Sequence, residues 1–412
     1  MNILISIIAI IIVGFLLERF LEYLNTKNWS DTLPTALKDF YNEEEYRKSQ
    51  QYDKANKKLG LISDSLNLII LVSLLLSGLF GKLDDWLLGI TGDSLKTTLF
   101  FFGILALGSD IINMPFSIYK TFVIEQKFGF NKTTPGLYIT DKIKGYVLGA
   151  LLGGSLIALF SIIYETAGQN FWIYTWIVFS VLMIFVSMFY TSLLLPLFNK
   201  LKPLEEGELK SSITSYCSKT CFKMSNIMVM DGSKRSAKAN AFFSGLGSRK
   251  KIVLFDTLIE KHTIPELVSV LAHETGHYKL RHTQTGLLAS ILQSGLMLFL
   301  FSLFMESKQI ATAMGGSLST IELGLFAFGI LYTPVSMVTG LLSSLLSRKH
   351  EFEADRYAAE TSDGSALKDA LKKLSVNNLS NLNPHPAYVF FYYSHPPLLQ
   401  RLNALDKVIR NA

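Results

Sequence analysis

Residues 171–198 read FWIYTWIVFSVLMIFVSMFYTSLLLPLF, an unbroken apolar run without a charged side chain. A helix needs roughly 20 apolar residues to cross the hydrocarbon core of a bilayer, so this run predicts a membrane-spanning helix. The composition of the whole 412-residue chain suits the same environment, because 49% of its residues are hydrophobic and only 17% are charged. We therefore interpret the protein as one that is solvated partly by lipid.

Seven segments of the chain are apolar and long enough to cross a bilayer. They cover residues 3–20, 61–80, 97–119, 145–163, 171–198, 286–305 and 324–346. The first segment is neither preceded by a basic residue nor followed by a small-residue cleavage site, which favours a retained membrane helix over a signal peptide. The resulting prediction is a bundle of seven transmembrane helices.

The basic residues indicate how this bundle is oriented. The formal net charge is +6, but Lys and Arg lie mainly between the apolar segments and form no single stripe, so we expect no nucleic-acid partner. The basic regions are residues 21–60, residues 120–144, the segment after the fifth span and the tail after the seventh. Positive charge marks the cytoplasmic side, which places the N-terminus outside and the C-terminus inside.

Two long polar stretches divide the chain into four parts. We expect five transmembrane helices in 1–198, a first polar part in 199–285, a transmembrane hairpin in 286–346 and a second polar part in 347–412. Three runs with β-branched residues or alternating polarity predict strands at 227–230, 239–244 and 252–255. The predicted fold class is mainly α: a polytopic membrane helix bundle with a small α+β cytoplasmic domain.

Residues 271–277 read LAHETGH and contain the H-E-x-x-H pattern. Thr263, Pro265 and Glu266 form a typical helix start just before it. On a helix, His273 and His277 lie one turn apart on one face, so both imidazoles can bind one Zn²⁺. Glu274 is then the candidate general base toward the attacking water. A five-residue pattern with three specified positions also occurs by chance, but a capped helix after a strand is where such motifs lie in zincins. We therefore favour the catalytic interpretation and expect a zincin-like catalytic domain formed by the two polar parts, 199–285 and 347–412.

A catalytic zinc needs a third protein ligand and one open position. His282 is the nearest candidate, but it does not fit the metzincin spacing, which requires Gly and His where this chain has Leu280 and Thr283. We therefore expect His282 to be a surface or loop histidine.

Residues 348–355, RKHEFEAD, supply a better third ligand. Glu351 and Asp355 share one face of a helix, so Glu351 can bind the metal while Asp355 accepts the second ring N–H of a ligand histidine. Glu353 points elsewhere and is expected to be solvated. The alternative is an amphipathic cytoplasmic helix whose acids all face water.

Two further residues are candidates for contact with substrate. His395, in the sequence SHPP, can stabilise the oxyanion of a tetrahedral intermediate if it lies near the metal. Asn240 can present an edge strand to an extended peptide. On sequence alone, each could equally be an ordinary residue of a turn or strand.

These residues belong to five stretches that together resemble the type I CAAX prenyl protease family, integral-membrane zinc endopeptidases of the gluzincin kind. The stretches are EQKFGFN (125–131) with Thr134 and Asp141, LPLFNKLKPLEEGEL (195–209), SAKANAFFSG (236–245), the H-E-x-x-H helix, and EFEAD (351–355) with SHPP (394–397). The resemblance implies that His273, His277 and Glu351 bind one zinc ion per chain, that Glu274 is the general base and that Asp355 supports a ligand. It implies that His395 and Asn240 contact substrate or transition state.

The resemblance also implies removal of the last three residues of a prenylated CAAX-type protein. Compact outer loops suggest a bacterial member in an inner membrane, whereas a eukaryotic member would lie in the endoplasmic reticulum. The expected partners are the bilayer and a peptide or protein substrate, lipidated or not, and the simplest expectation is a monomer. Two alternatives are a quality-control metalloprotease with non-prenylated substrates and a transporter or scaffold with a structural metal.

Overall fold

The structure is a computed structural model that describes residues 2–30, 32–34, 37–38, 40–222, 226–245, 251–305 and 307–411. Its described residues are mainly helical. The α-helices are α1 (Asn2–Lys27), α2 (Glu43–Leu76), α3 (Leu79–Thr91), α4 (Ser94–Tyr119), α5 (Pro135–Leu148), α6 (Gly154–Ala167), α7 (Phe171–Leu193), α8 (Glu208–Lys219), α9 (Asp256–Lys261), α10 (Ile264–Lys279), α11 (His282–Ser302), α12 (Lys308–Ala313), α13 (Ile321–Leu331), α14 (Thr333–Thr361), α15 (Gly364–Asn377), α16 (Pro386–Tyr392) and α17 (Leu398–Asn411). The strands are β1 (Leu201–Pro203), β2 (Asn226–Met230), β3 (Ala241–Ser244) and β4 (Lys251–Phe255).

Five helical stretches among the described residues are long and apolar enough to cross a membrane. They are Ile3–Lys27, Glu43–Leu76, Ser94–Glu125, Pro135–Leu197 and His282–Ser302. The pair α13 and α14 meets the same criteria together but bends by 54° between its two halves, which brings the number to as many as six. All seven apolar segments predicted from the sequence overlap these stretches, and two of them fall in Pro135–Leu197.

The Pro135–Leu197 stretch reverses direction within its length. A short 3-10 turn at Gly168–Asn170 separates α6 from α7, and Gly168 adopts a φ of 55° that a side chain would disfavour. The ring of Phe160 in α6 lies 5.8 Å from that of Phe171 in α7. The two helices therefore pack side by side as a hairpin.

Polar side chains within the apolar helices pair with one another. Arg19 in α1 donates to Asp64 in α2 over 3.1 Å, and the Asn67 side-chain amide donates to Asn113 in α4 over 2.9 Å. A polar group facing hydrocarbon without a partner costs several kcal/mol, so such pairing is what a membrane environment requires.

A four-stranded sheet follows the helices, in the order β1-β2-β4-β3. Strands β2 and β4 are parallel, and β3 pairs antiparallel with β4. The three predicted strands are confirmed, with β3 shorter at its start. The fourth strand, β1, was not predicted, because it is only three residues long and ends in proline. Strand β3 occupies one edge of the sheet, and no other strand of the described residues pairs with its outer side.

Helix α10 lies at the centre of this polar part. Leu271 and Ala272 are fully buried in a core shared with Leu254 of β4 and Ala358 of α14. Helices α10 and α14 approach closely, since a Cβ atom on Gly276 of α10 would lie 3.1 Å from the Cα atom of Ala354 of α14. A glycine at this position therefore allows α14 to come within side-chain reach of the histidines on α10.

Candidate metal centre

The start of α10 is held by the predicted capping box. Glu266 accepts a hydrogen bond from the backbone N–H of Thr263 over 2.8 Å, and it also forms an ion pair with Lys373 of α15 over 2.7 Å. Burial acts to raise the pKa of Glu266, but Lys373 and the Thr263 amide hold it below its usual range. This local network fixes where the helix begins.

Three side chains from two helices converge at one point. The Nε2 atoms of His273 and His277 on α10 lie 3.1 Å apart. Glu351 on α14 places Oε2 3.5 Å from His273 Nε2 and Oε1 3.2 Å from His277 Nε2. The three residues that the sequence singled out as metal ligands are therefore brought together.

The spacing of these atoms fits a zinc ion. Tetrahedral coordination with bonds of about 2.0–2.1 Å places neighbouring ligand atoms about 3.3–3.4 Å apart, close to the separations described. The Oε2 atom of Glu351 is buried and accepts no hydrogen bond from the described residues. Two imidazoles and one carboxylate are a donor set that catalytic zinc sites use, with a further position left for water or substrate.

Asp355 and Arg401 lie behind the candidate metal ligands. Asp355 Oδ1 is 2.9 Å from His273 Nδ1. Arg401 of α17 donates to both carboxylate oxygens of Asp355, over 2.8 and 2.6 Å, and its Nη1 lies 3.4 Å from Glu351 Oε2. Although burial acts to lower it, contact with Asp355 and Glu351 raises the pKa of the His273 imidazole to about 9. An acidic partner at the second ring nitrogen orients a ligand imidazole and raises its basicity toward a metal ion.

Arg401 was not identified from the sequence. A signal was present, because Arg401 lies three residues after Leu398 and four before Leu405, on the apolar face of an amphipathic helix. A cation on such a face indicates a buried acidic partner. The sequence alone could not show that this partner was Asp355.

Glu274 lies on the same turn of α10 as the histidines and lines a cavity of about 710 Å³. Burial raises the pKa of its carboxyl group, and nearby histidines oppose that shift. A carboxylate with a raised pKa beside the ligand atoms is suited to take up and return a proton.

His395 and Asn240 both face this cavity. His395 places Nε2 3.3 Å from Glu351 Oε1, and 62% of its side chain is exposed. Asn240 is exposed immediately before β3, where its Oδ1 accepts a hydrogen bond from the backbone N–H of Ala241 over 2.9 Å. The cavity also extends along Gly286 of α11 and Ser343 of α14.

The prediction for His282 was wrong. It is not a surface or loop residue: it begins α11, 6% of it is exposed, and its Nδ1 lies 3.1 Å from Nδ1 of His277. Arg281 separates α10 from α11 and has a φ of 62°, which turns the chain sharply between the two helices. The imidazole ring of His282 is buried next to this turn. Glu353, expected to be solvated, has a side chain that is 38% exposed and contacts His282.

Two family models match this chain. Residues 22–200 match one described as the CAAX prenyl protease N-terminal region, with five membrane helices. Residues 203–409 match peptidase family M48.

Curated proteins and a solved structure match it over nearly its whole length. The chain is 34% identical to CAAX prenyl protease 1 of Saccharomyces cerevisiae, over 96% of this chain and 94% of that protein. It is 33% identical to a CAAX prenyl protease 1 homolog of Arabidopsis thaliana, over 97% of each chain. The crystal structure of S. mikatae Ste24p superposes with a TM-score of 0.92 at 35% identity, over 98% of this chain and 99% of that one.

Proposed function

Because this chain belongs to the CAAX prenyl protease group of peptidase family M48, and is therefore an integral-membrane metalloprotease, we propose that it acts on CAAX-type proteins. The reaction is hydrolysis of a peptide bond near the substrate's C-terminus, which releases the last three residues. The metal is one zinc ion per chain.

One observation carries this proposal: His273, His277 and Glu351 converge at 3.1–3.5 Å beside Glu274, on the wall of a cavity. A closed structural site would have a fourth protein ligand, often a thiolate. Among the described residues, Cys217 and Cys221 lie on or just after α8 and do not line the cavity.

The reaction assigns a task to each side chain. His273, His277 and Glu351 would hold the zinc, which when bound would polarise the scissile carbonyl and activate water for attack at about pH 7. Glu274 takes a proton from the attacking water and returns it to the nitrogen of the leaving amine. His395 donates a hydrogen bond to the carbonyl oxygen as negative charge develops on it. Asp355 and Arg401 hold His273 in position.

The substrate peptide is proposed to lie along β3. The outer edge of this strand is unpaired within the sheet, and Asn240 precedes it at the cavity wall. An extended peptide can add to such an edge through backbone hydrogen bonds, independently of most of its side chains. The cavity continues between α11 and α14, where Ala289 and Leu346 line it together with several serines, and the proposal places a lipid-modified residue there.

The proposal extends to the arrangement in the membrane. The hairpin at Gly168 makes α6 and α7 two crossings, and the bent pair α13–α14 makes another, so seven crossings are proposed. The basic loops then place the N-terminus outside and the polar parts, 199–285 and 347–412, with the zinc centre in the cytoplasm. Residues 1–198 and 286–346 form the membrane region in this proposal. The functional unit is proposed to be a monomer.

The decisive experiment compares a farnesylated CAAX peptide with its unprenylated twin, incubated with purified wild-type protein or with the Glu274→Gln variant. Mass spectrometry should show loss of the last three residues from the farnesylated peptide, with wild type only. Zinc content should be equal in the two proteins.

Other outcomes would redirect the assignment. Equal cleavage of both peptides would favour the quality-control protease, because prenylation would then contribute nothing to recognition. Cleavage retained by Glu274→Gln, or by protein stripped of zinc, would overturn the proposed mechanism.

A further inference from the structure

His282 connects a proposed zinc ligand to a carboxylate. Its Nδ1 lies 3.1 Å from Nδ1 of His277, and its Nε2 lies 3.0 Å from Oε2 of Glu353. Only 5% of the His282 side chain is exposed, so water has little access to either nitrogen. Both ring nitrogens of His282 therefore have a protein partner.

One placement of the ring protons satisfies both contacts. His277 directs Nε2 toward His273 and Glu351, so as a neutral metal ligand it carries its proton on Nδ1. That N–H can donate to Nδ1 of His282, which must then be unprotonated. The proton of His282 consequently lies on Nε2, where it donates to Glu353.

We propose that His282 is a positioning residue for the metal ligand His277, with Glu353 in turn orienting His282. The arrangement mirrors the other half of the centre, where Asp355 contacts Nδ1 of His273 and is itself held by Arg401. Each ligand imidazole thus has a partner at its second nitrogen. Such partners set the tautomer and orientation of a ligand ring and strengthen its bond to the metal.

A second metal site is the competing use of these residues, since ligand atoms of His282, His350 and Glu353 lie within 4.8 Å of one another. The ring geometry argues against it. The imidazoles of His282 and His350 are stacked 3.9 Å apart and inclined by only 8°. A metal ion binds in the plane of an imidazole, and two parallel planes at this separation share no such position. His350 instead covers the outer face of His282.

This inference rests on the proposed function, because it assumes that His277 binds zinc. The test compares His282→Leu with His282→Asn in the full-length protein. The two side chains have nearly the same shape, but only Asn carries an acceptor at the place of Nδ1. Zinc affinity is measured by competition with a chromophoric chelator, with Gln284→Leu, an exposed position on the same helix, as the control.

We expect His282→Leu to weaken zinc binding by about 10–100-fold, the usual effect of removing a partner of a metal ligand. His282→Asn should recover most of the wild-type affinity, and Gln284→Leu should match wild type. Equal losses of zinc affinity in the Leu and Asn variants would show that His282 acts only through packing, which would overturn the inference. Unchanged zinc affinity in His282→Leu would also overturn it.

A second measurement does not depend on any variant folding. Nitrogen-15 NMR of ring-labelled, zinc-loaded protein should show the Nδ1–H tautomer for His277 and the Nε2–H tautomer for His282. An Nδ1–H tautomer at His282 would refute the inference. Failure of the proposed function is distinguishable, because wild-type protein would then show no zinc affinity that depends on Glu351.

Discussion

Arg401 and Asp355 form a two-pronged ion pair, with nitrogen–oxygen distances of 2.8 and 2.6 Å, directly behind the proposed zinc ligand His273. Both side chains are almost fully buried, 11% and 2% exposed. The pair joins the C-terminal helix α17 to α14, so the last helix of the chain contributes to the geometry of a centre whose ligands lie on other helices. A bidentate contact sets the orientation of the carboxylate as well as its charge.

Replacing Arg401 with methionine should destabilise the fold by about 3–5 kcal/mol, because a buried carboxylate would lose its counter-charge. The measurement is denaturant unfolding in detergent with chelator present. Arg410→Met, on the exposed face of α17, is the control and should unfold like wild type. The double variant Asp355→Asn/Arg401→Met should regain part of the loss, and no regain would contradict an electrostatic origin.

Gly276 lies at the close contact between α10 and α14, and replacing it should move Glu351 away from the two histidines. Gly276→Val forces a side chain against the backbone of Ala354, and such overpacking costs typically about 1–3 kcal/mol. If this strain moves Glu351 away, zinc affinity falls by roughly 10–100-fold, since 1.4 kcal/mol is a factor of ten. Gly340→Val, at a position of α14 where an added Cβ has no neighbour within 4 Å outside its own helix among the described residues, should leave zinc affinity unchanged.

Glu351 and Glu353, both on α14, should differ sharply in their effect on metal retention. Glu351→Ala removes a proposed ligand and should leave little zinc bound after dialysis. Glu353→Ala removes only the partner of His282 and should weaken binding far less. Metal analysis of both purified variants would test this, and equal losses would contradict the assignment of Glu351.

The ionisation of Glu266 should make the free energy of unfolding depend on pH in the acid range. Its pKa in the folded protein lies below the ordinary value of 4.5, so the folded state binds fewer protons than the unfolded chain in that range. The stabilisation is therefore fully present above pH ~4.5 and is lost as the pH falls through the folded-state pKa.

Thermal unfolding with chelator present checks the sign of this effect. Glu266→Gln should lower Tm at pH 7, and the difference from wild type should shrink as the pH is lowered below 4.5. Glu260→Gln, an exposed neighbour on α9, should change Tm little at any pH. A difference that grew on acidification would show that Glu266 acts through something other than its charge.

Local patterns accounted for much of the fold and of the centre. The apolar lengths located the membrane helices, and alternating polarity located three of the four strands. Spacing of four residues placed His273 with His277 and Glu351 with Asp355. Each of these patterns depends on the geometry of one helix or strand, which neighbouring residues largely determine.

The features that these local patterns did not reveal are strand β1 and the roles of Arg401 and His282. Strand β1 is too short to have a period of its own. Arg401 and His282 acquire their roles only from partners that lie far along the chain, at Asp355 and Glu353. The spacing of residues within one helix or strand does not indicate such a distant partner. For this reason the role of Arg401 was not predicted, and His282 was assigned to the surface.

By itself, the sequence determined that two imidazoles and a carboxylic acid share one turn of a capped helix, and that the chain around them requires lipid. Only the tertiary structure decided that α14 passes close enough over Gly276 for Glu351 to complete the donor set, and that Arg401 lies behind it. The physical reason is that periodicity arises from bonded geometry within an element. The approach of two helices depends on the packing of surfaces distant in the chain.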